Sequence, residues 1–165
     1  MQDCKAVSTP FQQNVKLSSD SDATDFNGTV YRQMVGSLNY LTTTRPDIAY
    51  SINILTQFMA KPLESHWKAA KRVLRYLQGT IDFGIVYTNH LNVELTGYSN
   101  SDWAGDPDDC KSTTGYAFSI GSGVVSWSNK KQSTISLSST EAEYKALCNA
   151  TFQAIWLKSL LEDMG

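Results

Sequence analysis

The spacing of apolar residues changes near residue 80, and this change constrains the fold more than any other feature of the sequence. Before it, apolar residues recur at the three- and four-residue steps of a helix. After it, short stretches rich in β-branched and aromatic residues alternate with glycine-containing turns, and a long helical pattern follows. Helices, then strands, then a helix predict an α/β protein with a boundary between residues 80 and 92.

Three helices are predicted in the first part, over residues 29–43, 46–59 and 65–78. Pro46 suits the first turn of the second helix, and Ser65 is the expected N-cap of the third. The predicted buried faces consist of Val30, Met34, Leu38 and Leu41, of Ile48, Ile52, Leu55 and Met59, and of Trp67, Ala70, Leu74 and Leu77.

The residues ahead of these helices are polar and rich in Ser, Asp, Gln and Asn. Such a composition favours an extended or disordered segment, because it offers too little apolar surface for burial. Pro10 and the Ser/Asp run over residues 18–22 also argue against a helix. The sequence therefore predicts an extended or disordered lead-in over residues 1–28.

The second part is predicted to form strands and one long helix. Strands are expected at residues 83–87 and 93–100, with a turn at 89–92, and a hairpin is expected at 116–120 and 124–127. The final helix should span residues 139–163. Ser138 and Glu141 have the spacing of a capping box at its start.

One helix face is basic, although the net charge of the chain is −2. That net charge argues against a protein that coats nucleic acid through bulk positive charge. The basic face of helix 65–78 is either a solvated surface or a contact for phosphates. Its residues are Lys68, Lys71, Arg72 and Arg75, and two further lysines that could assist are Lys130 and Lys131.

Cysteine, histidine and apolar content exclude several classes of protein. The three cysteines and two histidines lack the spacing of a structural zinc site, so free thiols in a reducing compartment are expected. No run of about 18 apolar residues occurs, and the N-terminus does not resemble a signal peptide. We therefore expect an intracellular protein, cytoplasmic or nuclear.

Two acidic clusters are candidates for chemistry. One, with Asp102, ends a predicted strand, and the other, with Glu141 and Glu143, begins the last helix. Glu143 continues the apolar stripe of that helix, so it is expected to head the buried face and to point toward the strand ends. Either a metal ion or hydrogen bonds from Ser or backbone N–H groups could satisfy it. Glu141 is expected to form an exposed ion pair with Lys145.

Several long motifs together resemble the C-terminal part of a copia-type retrotransposon Pol polyprotein. They occur in the family's order and cover nearly the whole chain: Cys4–Pro10, Tyr31–Asp47, Ala69–Thr80 and Gly97–Glu143. The resemblance implies a helical connection segment of reverse transcriptase over residues 29–88. It also implies an incomplete ribonuclease H-like domain over residues 89–165. That domain would comprise the three-stranded antiparallel start of its mixed sheet and its long first helix.

The resemblance also implies a metal site. Ribonuclease H domains of this family hold two divalent ions, Mg²⁺ or Mn²⁺, through acidic residues, and the paired ions assist phosphodiester hydrolysis. The first catalytic aspartate falls on Asn100, within Ser99-Asn-Ser-Asp-Trp-Ala-Gly105, and the second acid falls on Glu143. Asp102 would share a face with Asn100 in an extended chain and could bind a metal. The third acid belongs to a strand expected beyond Gly165.

Three functions therefore stay open. The first is hydrolysis of RNA in RNA–DNA hybrids, impaired here because Asn100 replaces a carboxylate and the third aspartate is missing. The second is a non-catalytic module that binds nucleic acid or protein, and the third is a decayed fragment without function. The partners implied are an RNA–DNA hybrid or other nucleic acid, and the upstream polymerase part of the polyprotein.

Overall fold

The computed structural model describes residues 4–12, 15–19, 23–88 and 94–164. The chain divides into two compact units, residues 1–84 and residues 85–165. Among the described residues, unit 1 is helical and unit 2 combines an antiparallel sheet with a helix, which confirms an α/β protein. The elements are α1 (Gly28–Leu41), a 3₁₀ turn (Pro46–Ile48), α2 (Ala49–Thr56), α3 (Glu64–Gln78), β1 (Leu95–Ser101), β2 (Thr113–Ile120), β3 (Gly123–Lys131) and α4 (Ser139–Met164).

Unit 1 packs its helices around a single apolar core. Asn27 caps α1, because its side-chain oxygen accepts from the N–H groups of Thr29 and Val30 at 3.0 and 3.2 Å. The buried core residues are Tyr31, Val35, Leu38, Ile48, Ile52, Leu55, Phe58, Ala70, Val73 and Tyr76.

The buried faces of α1 and α3 differ from the predicted ones. Val30 is 41% exposed and Met34 only partly buried, whereas Tyr31 is fully buried. In α3, Trp67, Leu74 and Leu77 flank the core, and the neighbouring residues His66, Val73 and Tyr76 fill it. These buried polar aromatic residues have hydrogen-bond partners, such as the Leu55 carbonyl, which accepts from the Tyr31 hydroxyl at 2.8 Å.

The start of α3 also corrects a prediction. The helix begins at Glu64 with Leu63 as its N-cap, so Ser65 is not the capping residue. The His66 imidazole is fully buried, and its Nδ1 accepts from the Leu63 N–H at 3.0 Å. In a capping box, a glutamate side chain accepts a hydrogen bond from this backbone N–H group; here the imidazole of His66 accepts it instead.

An internal ion pair joins the 3₁₀ turn to the end of α3. The buried Arg45 guanidinium donates to both carboxylate oxygens of Asp47, at 3.0 and 2.7 Å, and to the Thr80 carbonyl at 2.9 Å. The Tyr76 hydroxyl donates to the same carboxylate at 2.8 Å. Burial acts to raise the pKa of Asp47, but these donors bring it below its ordinary value.

The lead-in packs onto unit 1 without forming a helix in its described part. Val7, Leu17 and Phe26 contact the core, and the Phe26 ring stacks on Trp67 with centroids 4.4 Å apart. The Ser18 carbonyl lies 3.0 Å from Nε2 of His66. Because Nδ1 of that ring accepts a hydrogen bond, Nε2 carries the proton and donates to Ser18. The described residues of the lead-in are therefore non-helical and bound to the helices.

The sheet of unit 2 has the strand order β1-β2-β3, with both pairs antiparallel. This confirms the predicted hairpin, which is longer than expected at both strands. The predicted strand at 83–87 is wrong: its described residues form no ladder, and Tyr87 instead donates through its hydroxyl to the Val124 carbonyl at 2.8 Å. The predicted turn at 89–92 lies outside the described residues.

Helix α4 covers one face of this sheet. Phe118, Ala150 and Leu157 form the buried cluster between them, flanked by Leu95, Tyr116 and Ala154. Glycine is required at position 97 of β1, because the Phe118 ring occupies the space that a Cβ would fill. The register Gly97↔Phe118 then places Gly97, Ser99 and Ser101 on the sheet face that carries Phe118.

Candidate functional site

Glu143 lies in the first turns of α4, but its direction corrects the prediction. The buried face of α4 consists of Ala142, Ala146, Ala150 and Leu157, whereas Glu143 is exposed and Leu147 is 52% exposed. Ala150 and Leu157 lie on the predicted apolar stripe, but in the first turns the buried residues are Ala142 and Ala146, one position before Glu143 and Leu147. Glu143 therefore emerges beside the buried face rather than heading it.

The capping of α4 agrees with the sequence in most respects. Ser138 Oγ accepts from the Glu141 N–H at 3.1 Å, and a Glu141 carboxylate oxygen accepts from the Leu137 N–H at 2.8 Å. The predicted ion pair between Glu141 and Lys145 is confirmed, with 2.8 Å between the charged atoms. Lys145 and the Leu137 N–H lower the pKa of Glu141. Glu141 thus stabilises the helix start.

Asn100 is exposed near the end of β1. It pairs with Gly115, which pairs in turn with Asn129, so these three residues share one face of the sheet. That face is opposite to the one that carries Ser101 and packs against α4. Asn100 and Glu143 lie at one corner of unit 2, because their chain neighbours Ser101 and Ala142 both contact Gln132. The Asn100 side chain is on the sheet face that α4 does not cover.

Asp102 follows β1, and its carboxylate is bound to the backbone. One carboxylate oxygen accepts a short hydrogen bond from the Thr113 N–H, and the Asp102 N–H donates to the Thr113 carbonyl at 3.2 Å. The other oxygen lies against Gly105, where a Cβ would overlap it. Asp102 thus lies directly after β1 with its carboxylate bound to the start of β2, and that it shares a face with Asn100 stays a prediction.

The loop after Asp102 is held by ion pairs. Lys131 Nζ lies 2.6 Å from a carboxylate oxygen of Asp106 and 2.8 Å from one of Asp109. Burial acts to raise the pKa of Asp109, but Lys131 and Lys111 lower it to about 2. These acids are therefore balanced by lysines within the loop and its neighbouring strand.

Gln132 is a buried residue of this corner that the sequence did not reveal. Its amide nitrogen lies 3.2 Å from Ser101 Oγ, 3.0 Å from Thr114 Oγ1 and 3.1 Å from the Ala142 carbonyl. Its amide oxygen accepts from the Ser136 hydroxyl at 2.8 Å. No motif marks this glutamine, and its only signal in the sequence is its position directly after a strand.

The acids of this corner do not fit a two-metal centre. Within the part of the chain that the structure describes, no group of three or more His, Cys, Asp or Glu side chains could hold a metal ion. Asp102 is bound to the backbone, and Asn100 carries no charge. Two divalent ions need several convergent carboxylates to balance four positive charges. Glu143 by itself does not supply them.

The basic face of α3 is partly covered by the lead-in. Arg72 donates to Thr9 Oγ1 at 2.9 Å, and Arg75 donates to the Lys5 carbonyl at 2.8 Å. Lys68 and Lys71 are exposed. The face that the sequence suggested for phosphate contacts therefore presents two lysines to solvent, while its arginines bind the chain's own backbone and hydroxyl groups.

Comparisons with known proteins agree with the motifs. The retrovirus-related Pol polyprotein from transposon RE2 of Arabidopsis thaliana is 47% identical over 161 residues, which cover 98% of this chain and 11% of that protein. The Pol polyprotein from transposon TNT 1-94 of Nicotiana tabacum is 40% identical over 172 residues, covering 13% of its length. The secreted RxLR effector protein 161 of Plasmopara viticola is 50% identical over 128 residues, covering 77% of this chain and 90% of that protein.

The chain belongs to the family of retrovirus-related Pol polyproteins from copia-type transposons, which confirms the family predicted from the motifs. It spans about a tenth of the length of the Pol polyproteins that it matches. No family model matches the chain, and no solved structure matches it significantly. In the described residues, no helix is long and apolar enough to cross a membrane.

Proposed function

We propose that unit 2 is the beginning of a ribonuclease H-type domain of a retrotransposon Pol polyprotein, and that this chain does not cleave RNA–DNA hybrids. The observation that carries the proposal is the shortage of convergent acids, among the described residues, at the corner of Asn100, Asp102 and Glu143. A pair of Mg²⁺ or Mn²⁺ ions in this family needs carboxylates there. Here one position is an amide, and the Asp102 carboxylate accepts from the backbone.

The surface of α4 supports the assignment of unit 2 to a larger domain. Beyond its alanine face, the helix exposes Phe152, Ile155 and Trp156, which are 69%, 59% and 57% exposed. Soluble proteins seldom leave so many large apolar side chains together in water. Unit 1, with its helices around one core, would be the connection segment that precedes such a domain.

A cleavage assay tests the proposal. The purified chain is incubated with a labelled RNA–DNA hybrid and Mg²⁺ or Mn²⁺, alongside Glu143→Ala and, as a matched control, Glu141→Ala. We expect no cleavage above the buffer background with any of the three. Cleavage that disappears in Glu143→Ala and persists in Glu141→Ala would overturn the proposal, because it would show that Glu143 holds a working metal site.

Binding of nucleic acid without cleavage is a second candidate, favoured by the exposure of Lys68 and Lys71 on one face of α3. Two lysines on successive helical turns can contact neighbouring phosphates of a backbone. Arg72 and Arg75 contribute only if they exchange their present partners, Thr9 and Lys5, for phosphates.

Salt dependence tests whether these lysines contact phosphates. The affinity for a fluorescent hybrid is measured at several salt concentrations for the parent chain and for the Lys68→Ala, Lys71→Ala double variant. Losing two phosphate contacts should lower the slope of log affinity against log salt by about 2. The control is Lys158→Ala, an exposed lysine of α4 that pairs with Glu162. An unchanged slope in the double variant would contradict phosphate binding by these lysines.

A further inference from the structure

We infer that Gln132 is a positioning residue that fixes the first turns of α4, and with them Glu143, to the ends of β1 and β2. The functional significance of this inference rests on the proposed ribonuclease H-type site, because Glu143 is the acid that such a site would use. The hydrogen bonds that carry it do not depend on that assignment.

The geometry of the Gln132 side chain joins three elements at one point. Its amide nitrogen reaches a hydroxyl at the end of β1, a hydroxyl at the start of β2 and the Ala142 carbonyl of α4, all within 3.2 Å. Ser101 and Ala142 are the direct neighbours of Asn100 and Glu143 in the chain. A displacement of the Gln132 amide would therefore shift the two residues that occupy the family's acidic positions.

The direction of the hydrogen bonds requires this orientation of the amide. The Ala142 carbonyl can only accept, so the group facing it must be the nitrogen. Lys145 donates to Ser136 Oγ at 3.1 Å, and Ser136 donates to the amide oxygen of Gln132 at 2.8 Å. The network thus runs from Lys145 through Ser136 and Gln132 to Ala142, and it begins and ends on α4.

Burial makes this network costly to break. Gln132 is 8% exposed, Thr114 is 4% exposed and Ser136 is 3% exposed, so water cannot easily replace a lost partner. The folded state loses far more stability when a buried polar group loses its hydrogen bond than when an exposed group does. A single amide at this point therefore strongly favours one position of the start of α4 relative to the sheet.

Gln153 provides a matched control on the same helix. Its amide nitrogen donates to Ser126 Oγ at 3.1 Å, so it also joins α4 to the sheet through one glutamine. It lies about three turns further along α4 than Ala142. Substitution to methionine preserves the length of either side chain and removes its amide.

Amide hydrogen exchange of the full chain tests the inference, because it shows which part of α4 loses protection in each variant. In Gln132→Met, the amides of residues 142–146 should exchange at least about tenfold faster relative to those of residues 154–158, because their local opening becomes easier. In Gln153→Met, the ratio between these segments should not change in that direction. A role in overall stability alone would accelerate both segments equally.

Two outcomes would overturn the inference: unchanged exchange over residues 142–146 in Gln132→Met, or equal acceleration along the whole of α4. If Gln132→Met does not fold, Ser136→Ala removes the donor to the Gln132 amide oxygen, together with the acceptor of Lys145, and is judged by the same ratio. The cleavage assay addresses the proposed function separately. Hydrolysis by the parent chain, with the expected change of the exchange ratio in Gln132→Met, would contradict only the proposed function. No hydrolysis, with an unchanged exchange ratio, would contradict only the inference about Gln132.

Discussion

The two units of the chain use apolar surface differently. In the described part of unit 1, ten buried residues form one core, and three of them, Tyr31, Phe58 and Tyr76, are aromatic. In unit 2, the corresponding cluster has three buried residues, and the contact between helix and sheet is made largely by alanines. Unit 1 closes its core within its own helices and lead-in, whereas the described residues of unit 2 form a much smaller buried cluster between helix and sheet.

The two units also differ in where they place their buried polar groups. Unit 1 buries His66, Arg45 and tyrosine hydroxyls, each with a partner from another part of the unit. Unit 2 concentrates its buried polar contacts at one corner, around Gln132. Because small cores supply little stabilisation, unit 2 should be more sensitive to the loss of any one apolar side chain.

The largest expected effect is that of Phe118→Ala in unit 2. Phe118 is 5% exposed, and truncating a buried phenylalanine costs about 3–5 kcal/mol. That loss falls on a cluster with only two other buried members among the described residues. We expect the strand amides of β1–β3 to lose most of their protection against hydrogen exchange. A loss of stability below about 1 kcal/mol would contradict the small size of this core.

Ile52→Ala in unit 1 is expected to cost about 2–5 kcal/mol, because Ile52 is fully buried and the helices around it cannot collapse completely. Denaturant unfolding, followed through amide exchange in α1–α3, measures the change. The control is Ile81→Ala, since Ile81 is 76% exposed and its truncation should have little effect. If Ile52→Ala reduced protection no more than its control, the contrast between the two cores would be lost.

Tyr31→Phe should cost about 1 kcal/mol, through loss of the hydrogen bond to the Leu55 carbonyl. Burial raises the pKa of Tyr31 above its ordinary value of about 10, because the charged form is poorly solvated in the core. The contribution of Tyr31 to the free energy of unfolding is therefore complete below pH 10 and is lost as the pH rises further. Unfolding measured between neutral and alkaline pH should show this loss in the parent and a weaker one in Tyr31→Phe.

The smallest expected effect is that of Asp109→Asn in unit 2, below about 1 kcal/mol, because the ion pairs of Asp109 are partly exposed. Lys131 and Lys111 lower its pKa to about 2, so its contribution is present above pH 4 and is lost as the pH falls toward 2. A thermal scan across this acidic range compares parent and variant. A larger loss at neutral pH would show that the loop contributes more to unit 2 than its core suggests.

The sequence predicted the order and type of most elements, because periodicity and capping are local. Helices, the hairpin, the Ser138 cap and the Glu141–Lys145 pair all follow from residues close in the chain. The strand at 83–87 failed because its residues have strand composition but no ladder partner. The assignment of the acidic positions to a catalytic or metal-binding role stays a prediction, as does that of the basic face of α3.

The sequence by itself determined that helices precede strands and that the chain belongs to a copia-type Pol family. The sequence also predicted the buried residues Ile48, Ile52 and Leu55, but only the tertiary structure decided which side of α1, of α3 and of the start of α4 is buried. A tyrosine or histidine enters a core when a distant residue supplies its hydrogen-bond partner, as the Leu55 carbonyl does for Tyr31 and the Ser18 carbonyl for His66. Such partners lie tens of residues away, so helical spacing cannot reveal them. The same reason kept Gln132 hidden in the sequence, whereas the direction of Glu143 was wrongly predicted because alanines, not larger apolar residues, are buried at the start of α4.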